Sequence, residues 1–318
     1  MKKEVKKTAY DRELVHVLRD HDFESLREHF RAALKGLVRM RTKEVIAIKP
    51  NLCAPLSEQT GATTSLWMIE DTIAAIRKRR AKPIIIEGPS HIHDFHEVTD
   101  TTGVRELANR LDVELIDARD DGMPLRPLKH DTASRIYRVH MAALSADGII
   151  CLPKLKTHNR TKVSLGLKGL MGVLSPMDRN GFHRRGVEED VVELYKRIRT
   201  RIRACFVDGT TAMEGNGPTK GRPVAMNVII GGTDMVSVDA VSGMVMGFEP
   251  EEIHHVRQAH EAGLGDMNRT WVMHPDGIPL PVRAFERARI NSGLKAQVVS
   301  FPPVSKAIRR IRRWKKWS

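Results

Sequence analysis

Cysteine is scarce in this sequence, and Cys53, Cys151 and Cys205 form no CxxC pair. Disulfide scaffolds, structural zinc sites and iron–sulfur clusters all need several cysteines at close spacing. The sequence therefore predicts neither a disulfide framework nor an iron–sulfur cluster. Cys151 and Cys205 lie in apolar runs, which is typical of small buried side chains rather than reactive ones.

Aromatic residues and long hydrophobic runs are also few. Phe, Trp and Tyr make up 5% of the 318 residues, so the core is predicted to be largely aliphatic. No run approaches the roughly 20 apolar residues that a membrane-spanning helix needs. The first residues, MKKEVKKTAYDREL, lack the apolar segment of a secretory signal. A mean hydropathy of −0.34 is that of an ordinary globular protein, and we expect a cytoplasmic one.

Acidic residues are outnumbered, and the excess of positive charge is unevenly placed. The formal net charge is +14, and residues 305–318, SKAIRRIRRWKKWS, hold seven lysines and arginines and no acid. Half of the excess charge is therefore in this segment. Its pattern favours either a basic amphipathic tail that contacts an anionic membrane or nucleic acid weakly, or a frayed terminus. The first alternative would make the protein peripheral to a membrane.

Short apolar runs alternate with helical patterns along the middle of the chain. Continuously apolar strands of this kind indicate an α/β fold with a mostly parallel sheet and helices on both faces. Leu14, Leu18, Leu26 and Leu34 have mostly helical spacings, which predicts a helical extension at the beginning. The predicted organisation is a helical N-terminal extension, an α/β core, a C-terminal wrap and a basic amphipathic tail, over residues 1–41, 42–265, 266–304 and 305–318.

Polar residues follow the predicted strands at the point where each strand ends. Ligands of open α/β sheets gather at the carboxyl ends of the strands, so converging polar clusters predict a shared cleft. Because alternate residues of a strand point the same way, Lys154, Lys156 and His158 are expected to line one surface. The clusters contain Lys49 and Asn51, Glu87 and Ser90, Lys154 to His158, Asp208 to Asn216, and Gly231 to Asp239.

The residue types in these clusters suggest their roles. Lysines bind anions, a histidine exchanges protons near neutral pH, and a carboxylate orients the histidine or binds a metal. We predict Lys156, His158, Asp208 and Glu214 as catalytic residues. A divalent metal held by His158 or His183 with Asp208 or Glu214 is an open alternative. Arg160 and Lys162 are expected at the rim, and Asp234 is expected to cap a helix.

Several short motifs occur in an order that resembles one family. KPNL, GATT, EGPS, LPKLKTH, SLGLKGLMG, DGTTAMEGNGP and GGTDMVSVDAV, spread over residues 44–265, look like the motifs of the DUF362 family. The resemblance implies that the strand ends form one site. Within the motifs, the remaining site members, predicted to bind substrate, are Lys49, Asn51, Glu87, Ser90, Lys154, Lys168, Asn216 and Asp239.

The resemblance also bears on cofactors and fold. Many family members carry a ferredoxin-like segment with CxxC clusters, which this chain lacks, so a separate redox partner is an open alternative. The family fold looks similar to that of the nickel-pincer lactate racemases, whose histidine and lysine arrangement is not recognisable in this sequence.

Two classes of function fit the sequence. The first is an enzyme that acts on an anionic small molecule, a carboxylate or a phosphate, with an undetermined reaction. The alternative is a nucleic-acid-binding protein that uses its basic surface and tail. Half of the excess charge lies in the tail, and the core lacks basic residues interleaved with aromatics, so the enzyme hypothesis is preferred.

Overall fold

The computed structural model describes residues 10–119, 125–129, 136–179, 187–269, 271–274 and 279–289. His183, residues 290–304 and the predicted basic tail at 305–318 lie outside these ranges. None of the helices within the ranges is long and apolar enough to cross a membrane.

A ten-stranded sheet forms the centre of the molecule. Its main path runs in the order β12-β1-β11-β10-β7-β2-β3-β4, β8 pairs with β10, and β9 pairs with β8; β5 and β6 form a separate hairpin. The strands are β1 (Val15–Arg19), β2 (Val45–Pro50), β3 (Lys82–Glu87), β4 (Glu114–Asp117), β5 (Leu125–Lys129), β6 (Ile136–His140), β7 (Gly148–Leu152), β8 (Lys154–His158), β9 (Lys162–Val163), β10 (Ile202–Asn216), β11 (Lys220–Gly232) and β12 (Trp271–His274).

Helices cover both faces of this sheet. They are α1 (Phe23–Leu37), α2 (Leu66–Lys78), α3 (Phe95–Thr101), α4 (Val104–Arg110), α5 (Met141–Ser145), α6 (Gly166–Gly169), α7 (Val187–Ile198), α8 (Met235–Val245) and α9 (His254–Glu261). The buried apolar side chains form two clusters, one on each face of the sheet. One cluster contains the buried side chains of α1, α2 and α4, and the other contains those of α7, α8 and α9. β2, β3, β7 and β10 each divide their apolar residues between the two clusters, which explains their continuously apolar sequences.

The predicted fold class is confirmed. β4, β3, β2, β7 and β10 are parallel neighbours, and their carboxyl ends meet at one edge of the sheet. Helices α2, α4 and α7 each lie between consecutive strands in the chain, as the alternating pattern predicts.

The prediction of a helix through Leu14 and Leu18 is wrong. Residues Val15–Arg19 form β1, which pairs antiparallel with β11 and parallel with β12 inside the central sheet. Val15 and Val17 pack in one apolar cluster while Leu18 packs in the other, so the alternation of a strand outweighs the helical spacing. The helical part of the predicted extension is α1.

β10 is a long strand, and the strand that follows it in the chain runs antiparallel to it. β10 continues to Asn216 and turns into the antiparallel β11, with Cys205 opposite Gly232. The end of β11 therefore lies beside the beginning of β10, away from the shared carboxyl edge. Gly231–Asp234 does not join the other strand ends, and Asp234 caps α8, as its position suggested.

Candidate functional site

β8 extends the sheet beyond the carboxyl edge and carries the lysine–histidine motif. It pairs in parallel with β10, where Lys154 is opposite Asp208 and Lys156 is opposite Met213. All five residues of β8 are buried. Because alternate residues of a strand point the same way, Lys154, Lys156 and His158 lie on the same side of β8. Each of these side chains nevertheless contacts different partners.

Lys154 is neutralised inside the core. Its Nζ lies 2.7 Å from Oδ2 of Asp208, and both side chains are fully buried. The backbone N–H of Ser65 also donates to Asp208, at 2.8 Å. Burial raises the pKa of Asp208, but the Lys154 ammonium outweighs it and holds that pKa below its usual value. The pair is closed, so neither group has charge left over for a ligand.

Lys49 and Glu87 form a second closed pair. Lys49 Nζ lies 2.6 Å from Oε2 of Glu87, and the backbone N–H groups of Leu52 and Gly88 donate to the same carboxylate. Gly172 lies against this pair, and a Cβ at that position would overlap both side chains. Only glycine therefore lets the chain approach so closely.

Beside these two pairs lies a cavity of about 270 Å³. Four cationic side chains line it, together with two histidines, and Glu87 is the one carboxylate among its described lining residues. Since Glu87 is already paired with Lys49, the cavity has an excess of positive charge. The lining is Asn51, Cys53, Glu87, Gly88, Ser90, His91, Ile92, Lys156, His158, Arg160, Ser164, Lys168, Gly169, Met171, Gly172, Arg179 and Pro218.

Lys156 is fully buried in the cavity wall. Its Nζ lies 3.0 Å from Oδ1 of Asn51, 2.6 Å from the carbonyl oxygen of Ala62 and 3.3 Å from Sγ of Cys53. No carboxylate within the described residues contacts this ammonium group. Burial lowers the pKa of Lys156, and the neighbouring Lys154 lowers it further.

Lys168 and Arg179 add to the uncompensated charge. Burial and the nearby Lys156 lower the pKa of Lys168 to about 8. Its Nζ has no hydrogen bond or ion pair to any residue that the structure describes. Burial also lowers the pKa of Arg179 to about 10, although its guanidinium donates to the carbonyls of Gly88, Pro89 and Leu174. Both groups would be stabilised as cations by a bound anion.

The two histidines contribute hydrogen-bonding groups. Nδ1 of His158 accepts from the backbone N–H groups of Arg160, at 3.1 Å, and Thr161, at 3.3 Å. A neutral imidazole held in this way carries its proton on Nε2. His91 has a buried Nε2 with no partner among the described residues, and burial, reinforced by Arg179, lowers its pKa.

Several predicted site residues lie away from the cavity lining. Lys49, Lys154 and Asp208 belong to the closed pairs behind it. Glu214 lies 3.1 Å from Arg222 and 3.4 Å from Arg283, and Asn216 accepts from the backbone N–H of Arg289. Because β10 runs on into the β10–β11 hairpin, Glu214 and Asn216 reach residues 279–289 instead of facing His158.

Asp239 is buried beneath α6. It accepts hydrogen bonds from the backbone N–H groups of Gly166, at 2.7 Å, and Leu167, at 2.8 Å. Burial raises the pKa of Asp239 to about 7 despite these bonds. The contacts hold the beginning of α6, and thereby the helix that carries Lys168, so Asp239 supports the cavity without lining it.

The described residues contain no group of three or more histidine, cysteine, aspartate or glutamate side chains that could hold a metal ion. Of the ligands considered from the sequence, Asp208 and Glu214 are both bound to cationic side chains. His183 lies outside the described ranges.

Comparison with protein families agrees with the motif order. The family described as "Domain of unknown function (DUF362)" matches residues 46–243, more than half of the sequence. The chain belongs to the DUF362 family. The matched region contains the two closed pairs and every described lining residue of the cavity.

Two known proteins are similar to this DUF362 chain. The thylakoid-associated protein sll1697 of Synechocystis sp. (strain ATCC 27184 / PCC 6803 / Kazusa) is 24% identical over 262 residues, 79% of each chain. The lactate racemase apoprotein of Thermoanaerobacterium thermosaccharolyticum is 12% identical, with a TM-score of 0.43. That alignment covers 72% of this chain and 56% of the racemase, so this chain spans just over half of its length.

Sequence reasoning missed several lining residues. Cys53 follows Asn51 by two positions, and this spacing was the signal available for it. His91 lies in a turn and Arg179 in a helical segment outside the strands, so no strand periodicity relates them to the strand ends. Arg160, expected at the rim, lines this cavity and also a neighbouring one of about 250 Å³.

Proposed function

We propose that this DUF362 protein is an enzyme that binds a small anionic molecule, a carboxylate or a phosphate, in the cavity beside β8. One observation carries the proposal. Lys156, Lys168 and Arg179 line the cavity, and its single described carboxylate is already neutralised by Lys49. Keeping buried cations without counter-ions costs free energy, which a ligand of opposite charge would recover.

The roles in this enzyme differ from residue to residue. Lys156 and Arg179 fix the negative charge of the substrate, since both are buried and held by several hydrogen bonds. Lys168 is the acid–base group, because a pKa of about 8 lets a lysine exchange protons near neutral pH. His158 donates from Nε2. Cys53, beside Lys156, is a candidate nucleophile.

The size of the cavity favours a small molecule over a polymer. Lys156 is fully buried, so a nucleic-acid strand would not reach it without opening the wall. The nucleic-acid alternative therefore depends on other surfaces, including the tail outside the described ranges.

Calorimetric titration with inorganic phosphate and with malonate tests this proposal. We expect saturable binding of at least one anion to the parent protein and weaker binding to Lys168→Met. Lys220→Met, which removes an exposed lysine elsewhere, is the matched control and should bind like the parent. Equal affinity in all three proteins would rule out the cavity as the anion site.

For its location we propose a cytoplasmic protein that associates peripherally with a membrane. The thylakoid association in the name of a relative supports this, together with the basic character of the chain. Fractionation of cells into soluble and membrane pools, followed by a salt wash, tests it. A peripheral protein is released by salt.

A further inference from the structure

The edge of the sheet opposite the cavity carries a second concentration of positive charge. The strands that run parallel begin there, at Val45, Lys82, Glu114, Gly148 and Ile202. Backbone hydrogen bonds join the segments that precede them: Lys43 N–H donates to the Arg80 carbonyl and Lys82 N–H to that of Glu44, each at 2.8 Å. Residues distant in sequence thus form one continuous surface, called here the amino-terminal edge.

Exposed cations dominate the part of this edge near α1 and α2. Two acids of this edge, Glu44 and Asp147, are bound within it, Glu44 to Arg203 and Asp147 to the backbone N–H of Val45. Six exposed cations lie on this part of the edge, and no acidic side chain that the structure describes forms an ion pair with any of them. They are Lys35, Arg39, Arg41, Lys78, Arg79 and Arg80, all exposed.

A groove of about 470 Å³ opens between α1 and α2 beside these cations. Its floor is apolar, formed by Leu34, Met40, Ala74 and Ala75, and its rim includes Lys35, Lys78 and Arg79. Asp71 is the one carboxylate among the lining residues, and Arg27 and Arg31 already hold it, at 2.7 and 3.0 Å. The groove therefore combines an apolar floor with an unneutralised cationic rim.

We propose that the amino-terminal edge and this groove form the surface by which the protein docks on an anionic phospholipid membrane. Lipid headgroups supply the negative charge that the rim lacks, and their acyl boundary matches the apolar floor. A nucleic-acid backbone would use the cations alone and leave the floor unoccupied. The edge also carries no exposed aromatic side chain among its described residues, so it lacks a platform for base stacking.

The docking surface rests on the proposed peripheral membrane location, for which it names the contacting residues. It does not depend on the proposed anion site in the cavity. With the edge as the contact, the strand ends that carry the cavity point away from the membrane. The substrate would then enter from the aqueous side while the protein is bound.

Vesicle co-sedimentation of the full chain tests the proposal. The vesicles contain phosphatidylcholine with or without phosphatidylglycerol, at low and high salt. We compare the edge variant Lys35→Glu/Lys78→Glu/Arg79→Glu with Arg126→Glu/Lys220→Glu/Arg289→Glu, which changes net charge equally at exposed sites elsewhere. The edge variant should lose roughly a hundredfold in affinity for the anionic vesicles, and the control variant much less.

Met40→Gln separates the groove from simple charge attraction. It should weaken vesicle binding several-fold without changing the affinity for duplex DNA, since it removes apolar surface and no charge. Equal losses in the two charge variants, vesicle binding that survives in the edge variant, or duplex DNA bound more tightly than vesicles would each overturn the proposal. Survival in the edge variant would assign membrane binding to the tail and leave the peripheral location standing.

Discussion

Lys154 and Lys156 are two residues apart on one strand, are both fully buried, and have opposite relations to charge. Lys154 is paired with Asp208, which is itself buried and further hydrogen-bonded. Lys156 has an amide oxygen, carbonyl oxygens and a thiol around its ammonium group, and no carboxylate. The first arrangement is complete without a ligand, whereas the second would gain its counter-charge from the anion of the proposed function.

The same contrast separates Lys49 from Lys168. Lys49 is matched by Glu87, and Lys168 has no partner among the described residues. Burial alone thus does not identify a functional lysine, because the paired Lys49 and the unpaired Lys156 are both buried and look alike in sequence, whereas Lys168 is half-buried. What distinguishes the two is whether the neighbouring chain supplies a carboxylate. The predictions below are ordered by the size of their expected effect.

The largest effect is expected from breaking a closed pair. Lys154→Met leaves the Asp208 carboxylate buried without its ammonium partner, which should lower the free energy of unfolding by about 3–5 kcal/mol. Chemical denaturation measures this, with Lys220→Met as an exposed control that should stay within about 0.5 kcal/mol of the parent. A loss below about 1 kcal/mol for Lys154→Met would show that the pair is not structural.

Lys168→Met should weaken anion binding without lowering stability, in contrast to Lys154→Met. It removes an unpaired cation from the cavity wall, so stability should be unchanged or higher. Anion affinity should fall about 10- to 100-fold, the usual range for one charge-assisted hydrogen bond. Thermal unfolding and calorimetry with malonate measure the two quantities on the same samples. A destabilised variant with intact affinity would place Lys168 among the structural lysines.

Anion affinity should also depend on pH. Below a pH of about 8 Lys168 is an ammonium group and attracts the ligand, and above it the neutral amine does not. Affinity should therefore decline as the pH rises through about 8, and Lys168→Met should remove that part of the decline. Calorimetry at pH values on either side of 8 measures the slope in both proteins. An unchanged slope in the variant would assign the titration to another group.

The lowered pKa of Lys168 also predicts that the stability of the ligand-free protein depends on pH. The pKa of Lys168 in the folded chain is below its ordinary value of 10.5, so the unfolded chain binds more protons between about 8 and 10.5. The contribution of this group to the free energy of unfolding therefore rises with pH across that interval. Denaturation of the parent and of Lys168→Met at both ends should show a larger rise in the parent than in the variant.

The smallest effect is expected at Glu214. Its partners Arg222 and Arg283 are largely exposed, so Glu214→Gln should cost no more than about 1 kcal/mol of unfolding free energy. Malonate affinity should equal that of the parent, because Glu214 lies away from the cavity lining. A large loss of affinity would return Glu214 to the site.

The sequence predicted the sheet and the crowding of polar groups at its carboxyl edge. Continuous apolar runs and period-two spacing were enough for β2, β3, β7 and β8, because burial on both faces determines their composition. The reversal of β11 was not predictable from composition, since a long hairpin and a parallel crossover bring together similarly apolar strands. Glu214 and Asn216 were misplaced for that reason.

The partners of the lysines were also beyond the sequence. Pairing Lys154 with Asp208 and Lys49 with Glu87 depends on which strands are neighbours and on their register. Cys53 lies in an irregular segment, where neither helical nor strand periodicity predicts the direction of a side chain, and Arg179 lies in a helical segment outside the predicted strands. Local sequence patterns therefore located the site, whereas the pairing and register of the strands decided which of its residues are structural and which line the cavity.

The central claim is that Lys168 is an unneutralised cation in the wall of an anion site. NMR titration of the lysine ε-carbons, with the Lys168 signal assigned by its loss in Lys168→Met, measures this directly. The pKa of Lys168 should lie near 8 without ligand and rise when malonate or phosphate is added. A pKa near 10.5 that neither anion changes would contradict it.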